Sequence, residues 1–128
     1  MRRQSIVALL SPSDTQEFAL AEKDSQVSTI HFLDSERRFR FGLGQMLGQL
    51  SDRGMYPPEI AIDLTILAAT VMAADTRISR KTESQDSWTR EIDLYIPVED
   101  PATWLGSTSI LVRMLKFLTG DHWRLFFR

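Results

Sequence analysis

The sequence contains no cysteine among its 128 residues, which excludes disulfide cross-links, thiolate zinc sites and a cysteine nucleophile. It has only two histidines, His31 and His122, and neither has a histidine partner at helical spacing, which argues against a histidine-based metal site. Both glycine-rich phosphate-binding patterns, G-x-x-x-x-G-K-[ST] and G-x-G-x-x-G, are also missing. These absences predict a chain that uses no cofactor and no metal.

An excess of one charge and a long apolar run are missing too. The 15 basic and 17 acidic residues give a formal net charge of −2, whereas nucleic-acid modules carry a clustered excess of lysine and arginine. The longest apolar stretch, residues 60–74, is shorter than the roughly 20 residues that span a bilayer, and Asp63 interrupts it. The apolar run after the two N-terminal arginines has five residues, too few for a signal peptide. We therefore expect no membrane partner and a cytoplasmic location.

Length and composition fit one globular domain. Hydrophobic residues make up 43% of the chain and charged residues 25%, close to the average of soluble domains. We therefore expect a single domain over residues 1–128. In the first half of the chain, the spacing of apolar residues predicts strands over residues 6–10, 27–33 and 38–41 and a weak helix over residues 42–50. A strong helix follows Pro57 and Pro58 and is apolar around most of its circumference, which is typical of a central helix.

The second half has clearer local signals. Residues 92–98 alternate between apolar and polar and predict a strand. Asp100 before a proline predicts a helix start, a second helix is expected near Thr108, and Gly120 suits a left-handed helix end. Residues 122–128 predict a closing strand. Because strands and helices intermix without regular βαβ spacing, we predict an α+β fold with helices packed on one face of a mainly antiparallel sheet.

A candidate binding site combines acids, arginines and a tryptophan near the end of the strong helix and the starts of the last two strands. Its members are Asp75, Arg77, Arg80, Trp88, Arg90 and Asp121. Guanidinium groups beside a tryptophan suit a phosphate or a carboxylate ligand. The structural alternative is an Asp–Arg bridge that ties the helix end to the sheet, with Trp88 as a partly buried lid. An acid near a helix C-terminus is disfavoured by the dipole, so we expect Asp75 to have a cationic partner.

A candidate interface lies on the closing strand and comprises Trp123, Arg124, Phe126 and Arg128. Aromatic residues interleaved with arginines can stack bases and hold a nucleic-acid backbone, but the same alternation describes an ordinary strand that buries Trp123. Phe126 points away from Trp123, so one apolar face of this strand calls for cover by another chain. An uncovered strand edge also favours pairing with a second copy, which would give a homodimer.

Several short motifs of the second half occur together, in the same order, in one known family. They are Ala73-Ala74-Asp75, Arg80, Trp88-Thr89-Arg90-Glu91-Ile92, Ile96-Pro97-Val98, Asp100-Pro101, Trp104 and Phe117-Leu118-Thr119-Gly120-Asp121. The set resembles the N-terminal region of QueC-like (7-cyano-7-deazaguanine synthase-like) proteins of bacterial anti-phage systems, of the QatC and type IV CBASS kind. The resemblance is strongest over residues 60–128, and its specificity lies in the ordered set rather than in any single motif.

In that family the resembling region precedes an ATP-pyrophosphatase domain with a Ser-Gly-Gly-x-Asp-Ser phosphate loop and a cysteine-based zinc site. This sequence has neither feature, so the resemblance implies a non-catalytic accessory, protein-interaction domain of a defence system that modifies nucleobases or proteins. The chain is then expected to be either such an N-terminal domain or a stand-alone relative whose partner supplies catalysis. The implied partner is an ATP-pyrophosphatase-like domain or a neighbouring defence protein.

Two other classes of function stay open at this point. One is a small nucleic-acid-binding module that uses the arginines and aromatics of the closing strand, whose binding would weaken steeply as salt rises. The other is a small enzyme with a pocket lined by aspartate and arginine, which would need a concave apolar pocket and carboxylates of perturbed pKa.

Overall fold

Four strands and four helices lie within the residues that the computed structural model describes, 3–9, 25–32, 42–79 and 88–128. In chain order they are β1 (Gln4–Leu9), β2 (Gln26–His31), α1 (Leu43–Asp52), α2 (Glu59–Arg77), β3 (Glu91–Ile96), α3 (Pro101–Leu105), α4 (Thr108–Thr119) and β4 (His122–Phe127). These elements agree with the local predictions, and the strand predicted at 38–41 lies outside the described residues. Among the helices of this part of the chain, none is long and apolar enough to cross a bilayer.

The sheet is parallel throughout, with the strand order β2-β1-β3-β4. Gln4 of β1 lies opposite Gln26 on one side and Ile92 on the other, and Glu91 of β3 lies opposite His122 of β4. The prediction of a mainly antiparallel sheet is therefore wrong. The connections are long enough for parallel pairing, since residues 97–121 between β3 and β4 contain two helices.

The core lies between one face of this sheet and the helices. Alternate strand residues point into it: Ile6, Ala8, Ile30, Ile92, Leu94, Ile96, Trp123 and Leu125. The helices contribute Leu43 from α1, Ile66, Leu67 and Ala74 from α2, Trp104 from α3 and Leu115 from α4. Because the strand positions share one face, the four helices pack on that same face of the sheet.

The opposite face of the sheet is buried on the two central strands, β1 and β3, where an ion-pair cluster lies. Asp93 of β3 is fully buried and accepts hydrogen bonds from Arg124 Nε (2.8 Å) and Nη2 (2.7 Å) on β4. Arg3 Nη1, beside β1, donates to the same carboxylate at 2.9 Å. Asp93 is thus buried through ion pairs, although it alternates with apolar residues along β3 like a residue that faces water.

Two predicted helix ends are present. Asp100 accepts from the Ala102 N–H (3.2 Å) and the Thr103 hydroxyl (2.7 Å) at the start of α3. The Thr103 hydroxyl hydrogen bond, with help from backbone N–H groups and against desolvation, lowers the pKa of the Asp100 carboxyl. At the other end of this helical region Gly120 follows α4 with a φ of 77°, a conformation that glycine adopts without strain.

Candidate functional site

The starts of β3 and β4 bring Arg90 and Asp121 together at the amino edge of the sheet. Each residue directly precedes its strand, so parallel pairing places the two side by side. The Arg90 backbone N–H donates to Asp121 Oδ1 at 2.9 Å, and the side-chain Nε and Nη2 donate to Asp121 Oδ2 at 3.2 and 2.7 Å. The His122 N–H donates to the Arg90 carbonyl at 2.9 Å and extends the β3–β4 pairing to this edge.

The same guanidinium also holds the C-terminal end of α2. Arg90 Nη2 donates to Asp75 Oδ1 at 2.5 Å, and Nη1 donates to the backbone carbonyls of Asp75 (3.0 Å) and Ile78 (2.7 Å). Asp75 lies in the last turn of α2 and Ile78 directly follows the helix, where no further helical N–H groups are available to satisfy the carbonyls. The ion pair that the structural alternative predicted between Asp75 and an arginine is therefore present.

All five N–H donors of the Arg90 side chain are used within the protein. Arg90 is 1% exposed and Asp121 0%, whereas the Asp75 side chain is 49% exposed. Burial alone lowers the pKa of the Arg90 guanidinium, but the hydrogen bonds and charges of Asp121 and Asp75 outweigh burial and raise that pKa. With one cation and two carboxylates, this arginine cluster (Asp75, Arg90 and Asp121) suits a structural tie better than an anion site.

Two other members of the predicted binding site, Trp88 and Arg77, lie at the surface rather than in this buried centre. Trp88 is 74% exposed, in contrast to the partly buried lid that the structural alternative expected. Arg77 is exposed in the last turn of α2. Arg80 lies outside the described residues. The structure thus joins Asp75, Arg90 and Asp121 through hydrogen bonds and leaves Trp88 and Arg77 at the surface.

The predicted interface residues of β4 make contacts within the chain. Trp123 lies in the core, and its Nε1 donates to the Thr119 hydroxyl at 2.8 Å. Arg128 Nη2 reaches across the sheet to the Ala8 carbonyl at 2.8 Å. Arg124 binds the buried Asp93 described above.

Phe126 lies on the second face of the sheet. Its ring stacks on Tyr95 of β3, with ring centroids 4.8 Å apart, and the Arg124 guanidinium lies 5.8 Å from the Phe126 centroid. The aromatic and guanidinium groups of β4 thus contact each other and β3, so they do not form an open stacking platform.

A surface that the sequence reasoning missed lies on the helices. Seven large apolar side chains of α2 and α4 are between 46% and 88% exposed: Ile60, Leu64, Met72, Ile110, Met114, Phe117 and Leu118. On α4 the core side is centred on Leu115, and apolar residues continue around the helix on one flank only. The strongly apolar circumference of α2 is the available signal, but such a pattern is also typical of a central helix.

Three of these side chains, Leu64, Met72 and Met114, border an apolar depression of about 320 Å³ between the two helices, which we call the helical groove. It is lined by Leu64, Leu67, Ala68, Val71, Met72 and Asp75 of α2 and by Leu111, Met114, Leu115 and Thr119 of α4. Asp75 is the one charged residue among these lining residues. Its carboxylate also belongs to the arginine cluster, so the groove ends at that cluster.

A lining of this kind is suited to docking by apolar contact. Within the described ranges no three His, Cys, Asp or Glu side chains are placed to hold a metal ion. A second apolar depression, of about 220 Å³, lies between α1 and α2 and is bordered by side chains that include Met46, Leu50 and Ile62. Comparison of the chain with family models, curated proteins and solved structures finds no match.

Proposed function

We propose that this chain is a non-catalytic accessory domain that docks onto a protein partner through the helical groove. The observation that carries the proposal is the set of large apolar side chains exposed on the neighbouring flanks of α2 and α4. Contiguous exposed apolar surface of this kind marks protein-interaction sites, because water contact with it is unfavourable and a partner removes it.

The resemblance to QueC-like anti-phage proteins supplies the biological setting of the proposal. In that setting the domain works in the bacterial cytoplasm, beside an ATP-pyrophosphatase-like domain or a neighbouring defence protein that modifies nucleobases or proteins. Three residues that carry the resemblance are joined at the sheet edge, where Arg90 donates hydrogen bonds to both Asp75 and Asp121. Their role as a tie supports an accessory domain, since a catalytic group needs atoms that are open to a substrate.

The nucleic-acid alternative has less support. Trp123 packs in the core and Arg124 is engaged by the buried Asp93, so stacking of bases on this strand would require the core and the ion pair to open. Self-association through the edge strand β4 stays an outcome to measure, by light scattering of the purified chain.

The test is co-purification with a stated partner. The tagged 128-residue chain is co-expressed with the ATP-pyrophosphatase domain of a QueC-like defence protein, either unchanged or with Ala68→Arg. Ala68 is exposed and lines the middle of the helical groove, so an arginine there fills the groove without entering the core. We expect the unchanged chain to retain the partner and Ala68→Arg to lose it.

Gln49→Arg is the matched control. Gln49 is exposed on α1 and is not among the lining residues of the helical groove, so the same side chain is introduced on a helix elsewhere. Circular dichroism must give the same helix content and melting temperature for both variants. Equal recovery of the partner with Ala68→Arg and Gln49→Arg would refute docking through this groove.

A further inference from the structure

We infer that the helical groove accepts one amphipathic helix of about three turns, apolar in its middle and basic at both ends, supplied by a partner protein. The inference rests on the proposed docking function and specifies the chemistry of what docks. It follows from the length of the groove, its lining and the charges at its two ends.

The length of the groove sets the length of the occupant. Along α2 it extends from Leu64 to Asp75, which at 1.5 Å per residue is about 17 Å, or three helical turns. The exposed Ala68 in the middle leaves room for close approach of another helix. Met72 and Met114, one on each helix, line the groove with flexible thioether side chains that adapt to a partner's shape. An apolar groove of this length between two helices suits a helix laid along it.

At one end of the groove the arginine cluster carries a net negative charge, and Arg77 and Lys116, the basic residues in the last turns of α2 and α4, do not line the groove. Asp75 and Asp121 carry two negative charges against the single charge of Arg90, and the Asp75 side chain is half exposed. The C-termini of α2 and α4 meet here as well, since Thr119 lines this end of the groove and Asp121 follows α4 closely. Helix C-termini carry partial negative charge, which adds to that of the carboxylates.

The other end of the groove is also acidic. Ile60, one turn before Leu64, borders a cavity that is lined by Glu59, Asp63, Glu99 and Asp100. No lysine or arginine is among the residues described as lining that cavity or the groove. The negative charges of these carboxylates exceed the partial positive charge of about half a unit that the helix dipole places at the start of α2. A partner helix therefore gains from lysine or arginine at each end and from apolar residues between.

The same charges disfavour a second copy of this chain as the occupant. In a two-fold arrangement of groove against groove, the Asp75 end meets either the other copy's Asp75 end or its Glu59 end. Acidic groups face acidic groups in both cases, and such pairs repel in a site that excludes water. A basic partner meets no such repulsion.

The experiment is an unbiased selection. A yeast-displayed library of random 20-residue peptides is selected for binding to the folded 128-residue chain and depleted of clones that also bind Ala68→Arg. We expect the enriched peptides to have apolar residues at helical spacing and lysine or arginine near both ends. A synthetic consensus peptide should become helical on binding, and Gln49→Arg should bind it as tightly as the unchanged chain.

Asp75→Asn tests the charge at one end of the groove without removing the acceptor for Arg90. The amide oxygen still accepts from Arg90, so the fold is retained, while the negative charge is lost. We expect three- to tenfold weaker binding of the consensus peptide, and no change for a peptide whose lysines at that end are replaced by glutamine.

Enriched peptides that lack basic ends, that bind as extended chains, or that bind Ala68→Arg equally would overturn the inference, as would a selection without binders. A dimer that Ala68→Arg dissociates in light scattering would assign the groove to a second copy and overturn it too. These outcomes are distinct from failure of the proposed function, which is seen as co-purification that Ala68→Arg does not change.

Discussion

Replacement of Arg90 with alanine is expected to lower the free energy of unfolding by about 4 kcal/mol, within the range of about 3–5 kcal/mol for breaking a buried ion pair. Asp121 is fully buried and loses both side-chain hydrogen bonds from Arg90. The carbonyls of Asp75 and Ile78 lose their donors at the end of α2. The Asp75 carboxylate, by contrast, is half exposed and regains water, so it adds little to the cost.

A loss of this size is a large part of the stability of a small domain, which is about 5–15 kcal/mol. Urea unfolding followed by tryptophan fluorescence at pH 7 measures it. Arg113→Ala is the control, because Arg113 is exposed on α4 and surface changes of this kind stay within about 0.5 kcal/mol. Arg90→Met combined with Asp121→Asn replaces both charges by neutral groups and should recover more than half of the loss.

The pH dependence of this loss follows from the raised pKa of Arg90. A group whose pKa is raised by folding stabilises the fold fully below its unfolded pKa, and the contribution is lost only as the pH rises through the folded pKa. The pH range in which an arginine side chain loses its proton lies above about pH 12. The difference between the unchanged chain and Arg90→Ala should therefore be constant from pH 7 to about pH 10. If Arg90→Ala lowers the free energy of unfolding by less than about 1 kcal/mol, the assignment of the cluster as a structural tie is refuted. A double variant no more stable than Arg90→Ala would refute that assignment as well.

Three further changes test other parts of the fold. Asp63→Leu leaves a backbone N–H and the Trp104 indole N–H without their buried acceptor, so urea unfolding should register a loss of about 2–4 kcal/mol, and Asp63→Asn a smaller one. Gly120→Ala forces a side chain into a left-handed conformation and should cost about 1–2 kcal/mol, whereas Gly106→Ala, at a φ of −64°, should be neutral or stabilising in thermal melts. For Asp100, whose pKa is lowered on folding, the stabilisation is present above the unfolded pKa and lost as the pH falls through the folded one. The stability gap between the unchanged chain and Asp100→Asn should therefore shrink below about pH 4, and a gap that widens in acid would contradict this.

Local signals in the sequence were sufficient for most of the elements. The N-cap at Asp100, the left-handed glycine at 120 and the break before Thr108 each depend on a few neighbouring residues, and all are present. Such signals are local because a helix end is satisfied by groups within one turn of it. The order of the strands is not local, and nothing within a single strand specifies its neighbour.

The helical groove was missed for a related reason. A helix that is apolar around most of its circumference is typical of a buried helix, and α2 does bury Ile66, Leu67 and Ala74. The residues on its exposed flank, Leu64 and Met72, have the same character. Hydrophobicity alone does not distinguish a flank covered by the protein's own sheet from one that is left for a partner.

The direction of the strands was predicted wrongly because strands and helices intermix without regular βαβ spacing, yet the sequence offered a way to correct it. The alternation along β3 did not help, since Asp93 occupies a position typical of a water-facing residue although it is fully buried and binds Arg124. The candidate site, however, placed Arg90 with Asp121, and each of these residues directly precedes a strand. Two residues that precede neighbouring strands can meet only when both strands start at the same edge, and that requires them to run parallel. A proposed contact between distant residues is thus a constraint on topology, and here it was more informative than the alternation within either strand.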